Sequence, residues 1–266
     1  MEQSVYQQFY EIEKDHWWFI GMRTICRSLL ESVGAYSKIQ SGRSLDVGCG
    51  TGLWTKELAA NASACGLDFS DDALSFCQQR GLKKLVRASG VSLPFTSSSH
   101  QVISALGVIE HLDDDQSLLV ELSRVCAPGG YVLILTSAYN FLWSRHDDIV
   151  HHKRRYTRND LRKLVDSSGL ESIRVSYVNT FLFVPVILFR FLQSILGMGE
   201  RGETSDHGSP DLFMPTGLVN KLLVGVLWLE AKLLMLFDLP FGVGIIILAR
   251  KPQAIRPPRD LEGLQI

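Results

Sequence analysis

Several absences narrow the chain before any motif is considered. Its five cysteines, at positions 26, 49, 65, 77 and 126, form no CxxC pair and stand at no Cys/His ligand spacing. An odd count without a framework argues against disulfide stapling and structural zinc, and fits thiols kept reduced in a core. No long basic tract is present: the formal net charge is −1, and the densest cationic run, HHKRRYTR at 151–158, adjoins Asp147 and Asp148. No nucleic-acid partner is expected from such a balance. The opening MEQSVYQQFYEIEKDH is polar and acidic. It lacks the apolar stretch of a signal peptide and predicts a cytoplasmic protein.

Strand-length apolar runs recur with helical stretches between them. They are RSLDVG (43–48), SACGLD (63–68), KKLVRA (83–88), QVISAL (101–106), YVLILT (131–136), SIRVSYV (172–178) and GVGIIILAR (242–250). Strands alternating with helices predict an α/β fold: a mostly parallel seven-stranded sheet with helices on both faces. Right-handed crossovers gather the strand C-terminal ends on one edge, where open sheets bind ligands.

The first run ends in LDVGCGTG (45–52), with glycines at 48, 50 and 52. A glycine turn from strand to helix brings a ligand close to the main chain. No lysine and hydroxyl follow as a phosphate loop requires, and Leu53 stands where the dinucleotide pattern GxGxxG needs its third glycine. Asp46 would repel a pyrophosphate but suits a cationic ligand, such as the ammonium and sulfonium of S-adenosylmethionine (SAM). Asp68 ends the second strand, where an acid accepts hydrogen bonds from ribose hydroxyls.

With GLDFS at the second strand, LPF at 93–95, GVIEHL at 107–112 and CAPGGYVLIL at 126–135, the chain resembles the class I SAM-dependent methyltransferases. The resemblance spans about 43–180 plus the last strand. It implies a Rossmann-like fold with an antiparallel seventh strand, SAM as cofactor, and methyl transfer as the activity. It places the cofactor on Asp46, Gly48, Cys49, Gly50, Thr51 and Gly52, on Asp68 and Phe69, and on Ser89, Gly90, Leu106 and Gly107. Two positions depart from the pattern: Ser89 replaces an acid that meets the adenine amino group, and Gln101 replaces an acid at the start of the fourth strand. Those departures keep open a SAM-binding scaffold without catalysis. Quinone-pathway relatives carry ExxEH after the fourth strand, but Gly107 replaces the first acid before Glu110 and His111. No metal is expected.

The acceptor side is expected in YNFLWSRHDDIVHHKRRYTRNDL (139–161). It resembles a bacterial subgroup with the pattern LW..HD….H.RRYT, tied to cell-envelope glycan or lipid modification. A companion motif, E..HWWF…R, matches Glu13, His16, Trp17, Trp18, Phe19 and Arg23, and implies a helical lid over residues 1–40. His146 beside Asp147 is a candidate oriented base, and His152 is an alternative. Arg154 and Arg155 suit a phosphate-bearing acceptor, unless local salt bridges and the helix that Thr157 caps engage them. Trp17, Trp18, Tyr139, Trp143 and Tyr156 complete the expected acceptor pocket.

The core is thus expected over 41–180 and 241–252, followed by a loosely ordered tail at 253–266. Between them, 181–240 is an apolar helical insertion. Its first stretch, FLFVPVILFRFLQSIL (181–196), would reach only ~24 Å as a helix, against a ~30 Å hydrocarbon core, and carries Arg190. The second, LVNKLLVGVLWLEAKLLMLF (218–237), is interrupted by Lys221, Glu230 and Lys232. A spanning hairpin is disfavoured. Either the pair caps the site, or it lies on the inner membrane face and admits a lipid-borne acceptor, the reading favoured by so much apolar surface. The expected function is O-methyl transfer to a hydrophobic or polyprenyl- or lipid-linked glycan acceptor, with quinone-type small-molecule methylation as the runner-up.

Overall fold

The computed structural model describes residues 2–60, 63–195 and 214–253. Seven strands form one sheet: β1 (Arg43–Val47), β2 (Ser63–Asp68), β3 (Leu85–Arg87), β4 (His100–Leu106), β5 (Cys126–Ser137), β6 (Glu171–Val178) and β7 (Gly244–Arg250). Their order is β3-β2-β1-β4-β5-β7-β6. Only β7 runs antiparallel, between β5 and β6. The chain reverses its direction of winding between β1 and β4, so the crevice at their C-terminal ends is the topological switch point. The expected sheet is present, with β3 shorter and β5 longer than their apolar runs suggest. The expected tail beyond Gln253 and residues 196–213 of the insertion lie outside the described residues.

Alternation along the strands divides the core in two. Ile245, Ile247 and Ala249 face one side, with Leu118, Leu119 and Leu122 of α6 (Asp115–Val125) and Leu161 and Val165 of α8 (Arg158–Ser167). Ile246 and Leu248 face the other, with Ile25, Leu29 and Leu30 of α2 (Trp17–Ser32) and Leu227, Ala231 and Leu234 of α10 (Gly217–Leu234). A Cβ on Gly21 would collide with Leu227, so its absence lets α2 and α10 cross closely.

This packing bears on the two helical regions outside the expected core. Residues 17–41 are not a lid: α2 and α3 (Ala35–Ser41) bury Ile25, Cys26, Leu29, Leu30 and Ile39 in the sheet core. Only α1 (Gln3–Ile12) and the turn after it lie against the site, where Tyr6 meets Ala73 and Phe76 of α5 (Asp71–Gln79). Within the insertion, one face of α10 belongs to the core. Its Glu230, fully buried, accepts the main-chain N–H groups of Asn179 and Thr180 and pins the turn after β6. By contrast α9 (Phe183–Ile195) exposes Val184, Leu188, Phe189 and Leu192. No helix among the described residues is long and apolar enough to cross a membrane.

Candidate active site

The glycine loop enters α4 (Leu53–Ala59) through three residues of positive φ: Gly48 (67°), Gly50 (54°) and Gly52 (84°). Two of these glycines serve packing, since a Cβ on Gly48 would strike Val108 and one on Gly52 would strike Cys77. Gly50 differs: nothing lies within 4 Å of where its Cβ would be. Its N–H donates to Asp68 Oδ2 at 2.9 Å, and the Ser70 N–H donates to Oδ1 at 2.9 Å. Burial raises the Asp68 carboxyl, while these main-chain donors act to hold its charge. Gly107, at the end of β4, also has positive φ (69°) and open space around it.

An acid at the rim of β2, bare main chain at Gly50 and Gly107, and the exposed ring of Phe69 (71% accessible) form a cradle open to solvent. These residues fit a nucleoside whose ribose hydroxyls meet Asp68 and whose cationic end crosses the loop. Ser89 sits on the adjacent rim, its hydroxyl accepting the Val91 N–H at 3.4 Å. Gly90 packs against Leu118, and half-buried Leu106 packs against the α2 side of the core.

Asp46 plays a different part from the one its position in LDVG suggests. It is buried, its oxygens accepting the hydroxyls of Thr55 (2.6 Å) and Ser104 (2.8 Å). Burial raises its carboxyl to about 6. Asp46 therefore ties α4 and β4 to β1 beneath the loop. Cys49 is buried as well, its sulfur 3.7 Å from that of Cys77. Gln101 lies at the opposite edge of the sheet, accepting the Arg43 N–H at 2.6 Å, so it has no bearing on the cofactor cradle.

The segment after β5 is organised by one buried carboxylate. Asp147, on α7 (Arg145–Ile149), is fully buried and receives both Nε and Nη2 of Arg155 at 2.8 Å. His152 Nδ1 lies 2.7 Å from Asp147 Oδ1. Burial alone would raise the Asp147 carboxyl, but the bonds from His152 and Arg155 outweigh it and hold the group well below the usual carboxylate range. An ionised carboxylate only accepts, so Nδ1 carries the proton of a neutral His152 and Nε2 keeps its lone pair. Nε2 lies 3.9 Å from Oε1 of Glu110, whose own carboxyl is raised by burial. Asp147 thus engages the imidazole five residues on, and the ring of adjacent His146 lies 6.0 Å from that of His152. His151 takes a positive φ of 60° and makes the turn that brings His152 back.

The same geometry corrects the expected phosphate clamp. Arg155 is buried and committed to Asp147 and to the Ala138 carbonyl. Arg154 pairs with Asp115, which also accepts the hydroxyl of buried Tyr156. These side chains fix the loop to α6. Trp17 and Trp18 pack against the α2 side of the core, and the Trp17 N–H donates to Asn220 of α10 at 2.9 Å. Trp143 donates to Asp148 at 3.0 Å. Tyr139 remains near the ligand edge, stacked on Tyr177 and on Phe141, each at 5.0 Å. Among the described residues, no group of three His, Cys, Asp or Glu is arranged to hold a metal ion.

Two further residues contribute: His111, which the sequence reading noted beside Glu110, and Arg80, which it missed. His111 lies 4.7 Å from His152 between ring centres, and burial, with His152 nearby, lowers its imidazole to about 4. Arg80 reaches the glycine loop from the end of α5 and donates to the Thr51 carbonyl at 2.7 Å. No sequence spacing signals that contact.

Residues 45–134 match the family model described as a methyltransferase domain. The chain is 31% identical over 160 residues to the biotin biosynthesis bifunctional protein BioHC of Cellvibrio japonicus, covering 57% of this chain and 32% of that protein. It is 30% identical over 114 residues to the ubiquinone biosynthesis O-methyltransferase of Methylococcus capsulatus, covering 40% and 48%. The chain thus spans less than half the length of these curated relatives. Among solved structures, a SAM-dependent methyltransferase from Thermotoga maritima superposes with a TM-score of 0.53 at 15% identity, covering 92% of this chain and 94% of that one. At that identity the likeness carries the fold and not the activity.

Proposed function

We propose that the chain is a class I SAM-dependent methyltransferase with S-adenosylmethionine as its cofactor, residues 45–134 matching a methyltransferase domain, and that the whole protein methylates a hydroxyl of an apolar, lipid-linked acceptor at a membrane surface. The observation that carries the cofactor half is the cradle at the switch point, with Asp68 on one rim and open main chain at Gly50 and Gly107. When bound there, SAM supplies a methyl group already activated on a sulfonium. Alignment is then the chief task of the protein, since well-oriented reactants gain ~7–11 kcal/mol. A hydroxyl nucleophile must also lose its proton. His152 is the base we assign, because Asp147 fixes its tautomer and leaves Nε2 as the acceptor.

The acceptor half rests on surface chemistry. From Tyr139 an aromatic row runs through Phe141 and Phe183 to Phe241, with neighbouring ring centres 5.0–6.5 Å apart. It leads from the ligand edge to the exposed apolar face of α9. On α10, Leu218, Leu222, Trp228 and Leu229 are exposed as well. The one acid of that helix, Glu230, is buried, while Lys221 and Lys232 are exposed. An apolar helix face that bears exposed lysines suits an anionic lipid face.

Quinone-type methylation is the second reading, favoured by the ubiquinone-pathway relative. It would use the same apolar approach. One experiment separates the readings: transfer of labelled methyl from SAM into fractionated envelope lipids and quinones, with mass spectrometry of the product. Label in a glycolipid supports the first reading, and label in a quinone ring the second. SAM binding without transfer into either would leave a scaffold.

A further inference from the structure

The glycine loop is held from outside the sheet by side chains far away in sequence. Thr51 is buried, and its hydroxyl and its carbonyl are both engaged. Its hydroxyl donates to the Glu13 carboxylate, and its carbonyl accepts Arg80 Nε at 2.7 Å. Arg80 also donates to Glu13 and, at 3.1 Å, to the Tyr10 carbonyl, with its guanidinium 4.3 Å from the Tyr10 ring centre. Glu13, itself buried, is fixed in turn by Arg23, which donates to its carbonyl at 2.8 Å. Glu13, Arg80 and Thr51 thus come from the end of α1, the end of α5 and the turn into α4, and meet at one point beside Gly50.

An ion pair meant only to fasten α1 to α5 would not need the hydroxyl and the carbonyl of a loop residue. Fixing both groups of one residue fixes its peptide plane, and so the direction of the main chain that faces the cofactor. We propose that Glu13 and Arg80 are positioning residues for SAM. They act through Thr51, so that the segment preceding the sheet completes the cofactor site. This inference rests on the methyltransferase reading and extends it to Glu13, which lies outside the matched residues 45–134.

The test is calorimetric titration of SAM into the full chain and its variants, each first shown by circular dichroism to melt cooperatively. Glu13→Ala and Thr51→Val should each raise the dissociation constant about tenfold, the scale of one charged hydrogen bond. Because the two residues act as one unit, the double variant should bind no more than about twofold more weakly than the worse single. Thr51→Ser, which keeps the hydroxyl, should stay within about twofold of the parent chain. Should Glu13→Ala not fold, Glu13→Gln keeps an acceptor for Thr51 but loses the charge facing Arg80, and should still weaken SAM about threefold or more. Affinity unchanged in a folded Glu13 variant, or effects of Glu13→Ala and Thr51→Val that simply multiply, would overturn the proposal. No uptake of SAM by the parent chain would instead overturn the methyltransferase reading, and this inference with it.

Discussion

Two loops share the ligand edge of the sheet and are built on opposite terms. The loop at 48–52 is shaped by main chain: three positive-φ glycines, packing at two of them, and open space at the third. The loop at 138–157 is shaped by charge, with buried Asp147 receiving Arg155 and His152. A site made of backbone can be written in consecutive residues. A site made of buried charge depends on partners that only the fold selects.

The largest expected effect falls on the charged loop. Asp147→Ala strands Arg155 without its partner, and denaturant unfolding should register a loss of about 3–5 kcal/mol. A loss under 1 kcal/mol would erase the contrast between the loops. Next comes catalysis. His152→Asn should lower kcat about a hundredfold once an acceptor is in hand, the scale of one general base. A greater loss from His146→Asn than from His152→Asn would restore the sequence-adjacent pair.

The glycine loop should respond differently. Gly50→Ala places a side chain at positive φ, which costs roughly 1–2 kcal/mol of stability. It also fills the cradle, so SAM affinity should fall more than stability does. Equal effects on both would mean that the open space holds no ligand. On the apolar helices, Lys221→Glu and Lys232→Glu should each weaken co-sedimentation with anionic vesicles by about 1 kcal/mol. Both lysines are exposed, so thermal melting should stay put.

The smallest effect is a pH signature that separates the supports of the two loops. Asp147 is depressed, so its stabilising contribution is complete above the unfolded carboxyl value of about 4 and is lost as pH falls below it. Asp46 is raised to about 6, so the folded chain holds a proton that the unfolded chain has already released. Its contribution therefore falls as pH rises between about 4 and 6. Urea midpoints across pH 3–7 should lose the acid-side decline in Asp147→Asn, and the decline between 4 and 6 in Asp46→Asn.

Legibility in the sequence follows the same division. The strands, the helix cap at Thr157, the glycine turn and the acid of β2 are set by near neighbours, and the structure has them where the pattern puts them. The roles of buried polar groups are not local. Asp46 looked like a ligand and is a strut, and Arg155 looked like a phosphate clamp and is spent on Asp147. Adjacency pointed to His146 beside Asp147, but not to His152, which a positive-φ residue at 151 folds back onto that carboxylate. Helix α10 reads as an apolar insertion because its core-facing stripe and its exposed stripe are both hydrophobic. Only packing against α2 tells them apart.

The central claim is that SAM sits where β1 and β2 end, with Asp68 holding it. Calorimetric titration of SAM into the parent chain and into Asp68→Ala tests this most directly. The account predicts one site per chain, with affinity about tenfold to a hundredfold weaker in the variant, as expected for losing charged hydrogen bonds. Equal affinity in the two proteins would contradict it.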